Sequence, residues 1–160
     1  MFKLDAPNST LEHVNHRYEL DGDEYVSALD LKFMAEADDK MANYLLGGFE
    51  GDTPPNFWDE SNKDIKYHGL KGAIHSLVEL DDCDIKFKGS ISVKGAKIKK
   101  VNFVPVFGRR INLTLTVQFR PTDDQLTKVT HLKSKCGKLT IKSKSVFEFG
   151  EDEEQEELDI

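Results

Sequence analysis

The residues best able to act as a chemical group are the bases of the second half of the chain. Lys86, Lys88 and Lys94 alternate with Ile85, Phe87, Ile91 and Val93, and share their polar side with Ser90 and Ser92. Lys97, Lys99, Lys100, Arg109 and Arg110 follow, and Lys133, Lys135, Lys138, Lys142 and Lys144 come after them. A stripe of such cations on one sheet face attracts a nucleic-acid backbone, because each phosphate neutralised releases a condensed counterion. A plainer reading competes with it. Lysines on exposed strand faces also blunt edge-to-edge aggregation and balance acids elsewhere in the molecule.

Charge is distributed very unevenly around that stripe. Residues 1–85 hold 19 acids against 7 bases, residues 86–145 hold 15 bases and only Asp123 and Asp124, and residues 146–160 hold 8 acids and no base. The net of −7 thus conceals an acidic front, a basic middle and an acidic end. Such asymmetry speaks to partners and solubility rather than to fold.

Catalysis finds less to work with. There is no P-loop, no nucleophile elbow and no HExxH. His13 and His16 stand an odd number of residues apart, so a strand sends them to opposite faces and they cannot share a metal. The acids at 21–24, 36–39 and 79–84 lack the calcium-loop pattern and read as solvated surface. Cys83 and Cys136 match no metal or redox spacing, and two reduced thiols are expected. We therefore expect a binding protein rather than an enzyme, with no cofactor and no metal.

The elements that must carry these residues are mostly strands. Val14, His16, Tyr18 and Leu20 alternate over 10–20, Asp21-Gly22-Asp23-Glu24 reads as a turn, and Tyr25, Leu29, Leu31 and Phe33 form the returning strand of a hairpin. A short helix follows, capped by Asp38 or Asp39, with Met41, Tyr44 and Leu45 on one face and Gly47-Gly48 as its stop. Residues 47–66, rich in proline and glycine, form a loop that holds Phe49, Phe57 and the only tryptophan, Trp58. Such a loop is either tucked against the body or used as a contact surface. Residues 73–80 lean to strand.

Further on, 85–94 reads as a strand with a bend at Gly89, and Lys94-Gly95 as a turn. Val101, Phe103, Pro105 and Phe107 alternate, out of step with Ile98, so a bulge is expected at Lys99-Lys100. Ile111, Leu113, Leu115, Val117 and Phe119 alternate without a break. Thr122 is placed to cap a helix whose apolar face is Leu126, Val129 and Leu132, closed by Cys136-Gly137. A last strand then runs from Leu139 to about Phe149. This order predicts a mainly β (α+β) chain: one domain over 1–149, built as an antiparallel β-sandwich or open barrel with two short helices. Residues 150–160 form an acidic tail too poor in apolar surface to order itself. No stretch approaches the ~18 apolar residues of a membrane span, and MFKLDAPNST lacks the pattern of a secretory signal, so a cytoplasmic place is expected.

Seven acids crowd into the last ten residues, with Leu158 and Ile160 among them. This composition resembles the acidic C-terminal tails of bacterial and phage single-stranded-DNA-binding proteins, although those more often end in phenylalanine. The resemblance implies a tail that recruits partner proteins and competes with DNA for a basic groove. The stretches RYELDGDEYVSALDLKF (17–33) and LTVQFRPTDDQLTKV (115–129) are similar to small uncharacterised proteins from the recombination and replication regions of tailed phages and prophages. That likeness implies a phage context and assigns no site residues. Two functional expectations result. The first is single-stranded nucleic-acid binding through Lys86, Lys88, Lys94, Lys97, Lys99, Lys100, Arg109, Arg110, Lys142 and Lys144, regulated by the tail. The second is an interaction or inhibitor protein acting on a host protein, anchored by Phe49, Phe57 and Trp58 and by Leu158 and Ile160. A homo-oligomer is compatible with either.

Overall fold

A computed structural model describes residues 2–48, 51–66, 72–132 and 135–143, with the side chain of Lys135 left out of the description. The elements in chain order are β1 (Lys3–Asp21), β2 (Glu24–Asp38), α1 (Asp39–Leu45), β3 (Ile74–His75), β4 (Leu80–Phe87), β5 (Ile91–Val106), β6 (Arg110–Phe119), α2 (Asp123–Thr130) and β7 (Lys135–Ser143). Every pairing is antiparallel. The order β5-β4-β7-β1-β2-β6 closes on itself because β6 also pairs with β5, giving a six-stranded barrel. The extra strand, β3, continues the edge of β5 beyond β4.

Inward positions follow the period-two pattern of half-buried strands. On β6, Ile111, Leu113, Leu115, Val117 and Phe119 are all buried. Facing them are Leu29, Leu31 and Phe33 of β2 and Ile98, Val101 and Phe103 of β5. Phe33 meets the edge of Phe87 at 5.1 Å between ring centres, so the aromatic rings of β2 and β4 touch across the core. Cys83 and Cys136 are buried and unbridged, and burial first, with neighbouring Asp81, Asp82 and Asp84, pushes the Cys83 thiol up to about 11 against a hydrogen bond from Ser143.

Closure depends on bends in β5. Over 16 residues it pairs with β4, β3 and β6, and of the three register shifts in these ladders two carry their extra residue on β5. Three steps of β5 from Val93 to Ala96 face two steps of β4, with Gly95 at φ 70°. Three steps from Lys99 to Asn102 face two of β6, with Lys100 at φ 54°. The second bulge is the one expected from the alternation. The first replaces the expected turn at Lys94-Gly95: the strand continues through it. The chain turns earlier, at Lys88-Gly89-Ser90, where Lys88 and Gly89 both take positive φ, so the expected strand 85–94 is a β4–β5 hairpin. In the same way Gly137, expected to end a helix, sits in β7 at φ 64° beside a register slip against β1. Residues 73–80 supply only the short β3 and the first residue of β4.

The two helices cover the two ends of the barrel. Asp38 caps α1, its Oδ1 accepting from the Met41 N–H at 3.2 Å. Thr122 and Gln125 form a reciprocal capping box on α2, and the Gln125 side chain donates to the Ser92 carbonyl at 2.8 Å. At the α1 end the loop 51–66 folds inward. Trp58 is fully buried, its indole N–H donating to the Val106 carbonyl at 2.6 Å. Phe57, half-buried, stands edge-on to Trp58 at 5.8 Å and to Phe103 at 6.2 Å. Trp58 is therefore a core residue and not the surface anchor expected for a partner. Phe49, Lys144, Leu158, Ile160 and the tail 150–160 lie outside the described residues, as does the end of the last strand beyond Ser143.

One part of the sheet leaves the barrel. β7 pairs with β1 only as far as Thr10, and β6 pairs with β2 only from Leu29 onward. The rest of the β1–β2 hairpin, turning at Gly22 with φ 64°, is a two-stranded arm. Its base is fixed on the outer face. Arg17 holds Asp30 through Nε at 3.0 Å and Nη2 at 3.2 Å, Gln118 donates to the same carboxylate, and Arg120 reaches Asp21 at 3.2 Å.

Replacing Trp58 with alanine removes the plug of the α1 end and its hydrogen bond. Large aromatic-to-alanine changes in cores cost about 3–5 kcal/mol. We expect a loss of that size in urea unfolding; a loss within about 0.5 kcal/mol, the range of an ordinary surface change, would show that the loop is not part of the core.

Candidate nucleic-acid interface

Antiparallel pairing decides which bases meet. On the outer face of β1, β7, β4 and β5, Lys3 stands directly across from Lys142, which stands across from Asp84 on its other side. Lys86 pairs with Thr140 on one side and Ser92 on the other, and Lys94 follows two residues along β5. Together Lys3, Lys86, Lys94 and Lys142, with Thr140 and Ser92, line a cleft of about 250 Å³ whose floor is formed by Leu4, Asp84, Ile85 and Ile141. That lies below the ~300–1,000 Å³ of small-molecule pockets. It suits a phosphate or one flat group rather than a whole cofactor. Long lysine stems give such a cleft apolar walls with ammonium groups at the rim.

The four lysines cost the sheet something. Like charges directly opposite on neighbouring strands are destabilising, and Lys3 and Lys142 are such a pair. Among the described residues Asp84, directly across from Lys142, is the one carboxylate that lines the cleft. Four cations around one carboxylate leave an excess of positive charge, which favours an anion.

The remaining expected bases are elsewhere or otherwise engaged. Lys88 lies in the β4–β5 turn, where its N–H donates to the Cys136 carbonyl at 3.1 Å. It extends the cleft face toward the start of β7. Lys138, on that strand, is paired with Asp5 at 3.5 Å. Lys97 and Lys99 point outward farther along β5, opposite Gln118 and Thr116, and Lys97 is held by Asp81 at 3.7 Å. Lys100 occupies the second bulge.

Arg109 and Arg110 do not belong to the cleft face. They stand at the β5–β6 turn, at the α1 end of the barrel. Arg109 Nε donates to Asp39 at 2.7 Å and its guanidinium lies 5.5 Å from the centre of the Trp58 ring. Arg110 Nε donates to Glu36 at 2.8 Å. Both are pinned by carboxylates of the acidic front and stabilise the fold. Lys133 is outside the described residues, and Lys135 contributes its backbone to β7.

Lys3 was missed by the sequence reading, which began the first strand at residue 10. The signal was present: Phe2, Leu4 and Ala6 are buried and alternate with Lys3 and Asp5. No aromatic side chain lines the cleft, so stacking is not part of its chemistry. Among the described residues no group of three or more His, Cys, Asp or Glu gathers to hold a metal, and no helix is long and apolar enough to cross a membrane.

The fold and the cleft thus define a closed antiparallel barrel bearing a small cationic site on one outer face. No family model matches the chain, and no curated protein and no solved structure matches it.

Two kinds of base are separable by stability. Arg109→Ala removes a charged hydrogen bond, worth about 1.5–3 kcal/mol, and a cation–π contact worth roughly 0.5–1 kcal/mol. The partial exposure of the pair reduces these values, and we expect a net loss of about 1–3 kcal/mol. Lys86→Ala and Lys142→Ala should stay within ±0.5 kcal/mol, or stabilise slightly. Urea unfolding of the three variants checks this; equal losses would erase the distinction.

Proposed function

We propose that the chain binds single-stranded nucleic acid at the cleft of Lys3, Lys86, Lys94 and Lys142, without catalysing a reaction. The observation that carries this reading is the facing pair Lys3 and Lys142, with Lys86 and Lys94 beside them, four cations around Asp84, the single lining carboxylate among the described residues. Adjacent strands lie ~4.7–4.9 Å apart, so the ammonium groups can engage neighbouring phosphates of one strand. A duplex is too broad for a cleft of about 250 Å³. With no stacking platform, recognition is electrostatic and indifferent to sequence.

The acidic tail is the regulator in this proposal. Lys142 is the second-last residue of β7, so the described chain ends beside the cleft. From Ser143 to residue 151, an extended chain spans at most roughly 25–30 Å. Acids tethered at that distance have a high effective concentration at the cleft. They occupy it when nucleic acid is absent and are released to partner proteins when it binds. The setting we propose is phage replication or recombination in the cytoplasm of the host. It rests on the likeness of residues 17–33 and 115–129 to proteins of such regions.

The salt dependence is the sharpest quantity. Single strands give a slope of about −0.7 per phosphate neutralised. Four lysines therefore predict a slope of log affinity against log salt near −3, whereas all ten expected bases would give about −7. Fluorescence anisotropy with a labelled oligonucleotide measures it. Lys86→Glu with Lys142→Glu should abolish binding, and removal of residues 151–160 should tighten it several-fold. Failure of both the full-length and the shortened chain to bind at low salt would end this proposal, and equal binding of a duplex would end its single-strand part.

A further inference from the structure

The arm carries an apolar surface that the barrel does not use. Cross-strand partners share a face, and Leu29 and Leu31, which are buried, pair with His16 and Val14. The same face continues outward to Tyr18, and then to Leu20 opposite Tyr25. There the barrel has ended, and Tyr18, Leu20 and Tyr25 are 67%, 62% and 74% exposed. Among the described residues the strand edges of the arm are also unpaired, because neither β7 nor β6 reaches them. Exposed apolar side chains with open edges mark a contact surface.

The charge around that surface selects its occupant. Glu19, Asp21, Asp23 and Glu24 surround the tip, and Asp23 and Glu24 carry no ion pair among the described residues. Such a tip repels phosphate and other acidic surfaces. It complements a small cleft with apolar walls and a cationic rim, and this chain has one. The cleft of about 250 Å³ accepts one large side chain, and Tyr25 presents such a side chain next to the turn.

The arm cannot fill its own cleft. Lys3 begins β1 and Tyr18 lies near its far end. At ~3.3 Å per residue the strand holds them apart by up to about 50 Å, and Arg17, Gln118 and Arg120 fix the direction of the arm. Only another molecule can bring the two surfaces together.

We propose that the chain associates with itself head to tail, the tip of one arm, Leu20 and Tyr25, entering the lysine cleft of a second copy. The contact uses two different patches and is heterologous, so it adds copies in series rather than closing as a two-fold dimer. Its charged rim makes it weaken with salt. It shares the cleft with the function proposed above but does not require nucleic acid to bind there. Where both hold, oligonucleotide and arm compete.

Mixing two variants of the full chain tests this. One carries Leu20→Ser and Tyr25→Ser, and the other carries Lys86→Glu and Lys142→Glu; circular dichroism and melting confirm that both are folded. In sedimentation equilibrium, the wild type should gain mass with concentration and lose it with added salt. Each variant alone should remain a single chain. Their equimolar mixture should form pairs and nothing larger, because only the intact arm of one and the intact cleft of the other remain. A wild type that stays monomeric throughout overturns the proposal and leaves the arm to a different protein. A cleft variant that associates as well as the wild type overturns it in favour of arm-on-arm pairing, and a monomeric mixture overturns it as well. Oligonucleotide binding by the arm variant, measured in parallel, reports on the cleft separately, so failure of either proposal is distinguishable from failure of the other.

Discussion

The pairing of β5 with β4 along one edge and with β6 along the other positions everything else in this molecule. An antiparallel sheet with one apolar face must cover its edges or close on itself. Here closure requires one strand to bend twice, and each bend adds a residue. Gly95 absorbs the first at φ 70°, and Lys100 absorbs the second at φ 54°. Each bulge restores the apolar side chains to the interior after the strand has turned: Val93, Ala96, Ile98, Val101 and Phe103 are all buried despite the interrupted alternation. Without the extra residues, alternation carried on from Val93 would turn Lys97 and Lys99 inward in place of Ala96 and Ile98.

The same register sorts the basic residues. Lys86 and Lys94 precede or flank the first bulge and meet Lys142 and Lys3 on the outer face of neighbouring strands. Lys97 and Lys99 lie beyond it, over β6, where Gln118 and Thr116 oppose them. Arg109 and Arg110 fall at the far turn, where Asp39 and Glu36 wait. The segmental charge imbalance of the sequence is thus partly spent on internal pairs between the acidic front and the basic middle. What remains as a site is smaller than the linear charge suggested, and more concentrated. Guanidinium groups suit partly buried pairs because they are planar and weakly hydrated, while lysines keep strongly hydrated heads in water. The distribution of the two residue types over the fold follows that difference.

Much of the barrel was legible because alternation is a local signal. Ile111 to Phe119 alternates without error and is a strand; Thr122 was expected as a cap and begins a helix; the slip between Ile98 and Val101 is a bulge. Other features depended on contacts distant in sequence. Gly89 and Gly95 each interrupt an alternating run, and only the partner strand decides that the first is a turn and the second a bulge. The same ambiguity applied to Gly137. The burial of Trp58 depends on the Val106 carbonyl and on Arg109, both about fifty residues away. Of the site, Lys86, Lys94 and Lys142 were found from their outward positions, whereas Lys3 required its strand to be extended to the start of the chain. The exposed face of the arm was hidden by its regularity: Val14, Tyr18, Leu20 and Tyr25 alternate like core residues, and only the shorter reach of β6 and β7 leaves them outside.

In the function proposed, the cations of four strands act as one site because the barrel places them on one outer face. Backbone amide chemical shifts followed during titration with a short single-stranded oligonucleotide test it residue by residue. Changes confined to residues 3–5, 84–88, 92–94 and 138–142 are expected, with Arg109 and Arg110 unmoved. Changes centred on the β5–β6 turn, or spread evenly over the surface, would contradict it.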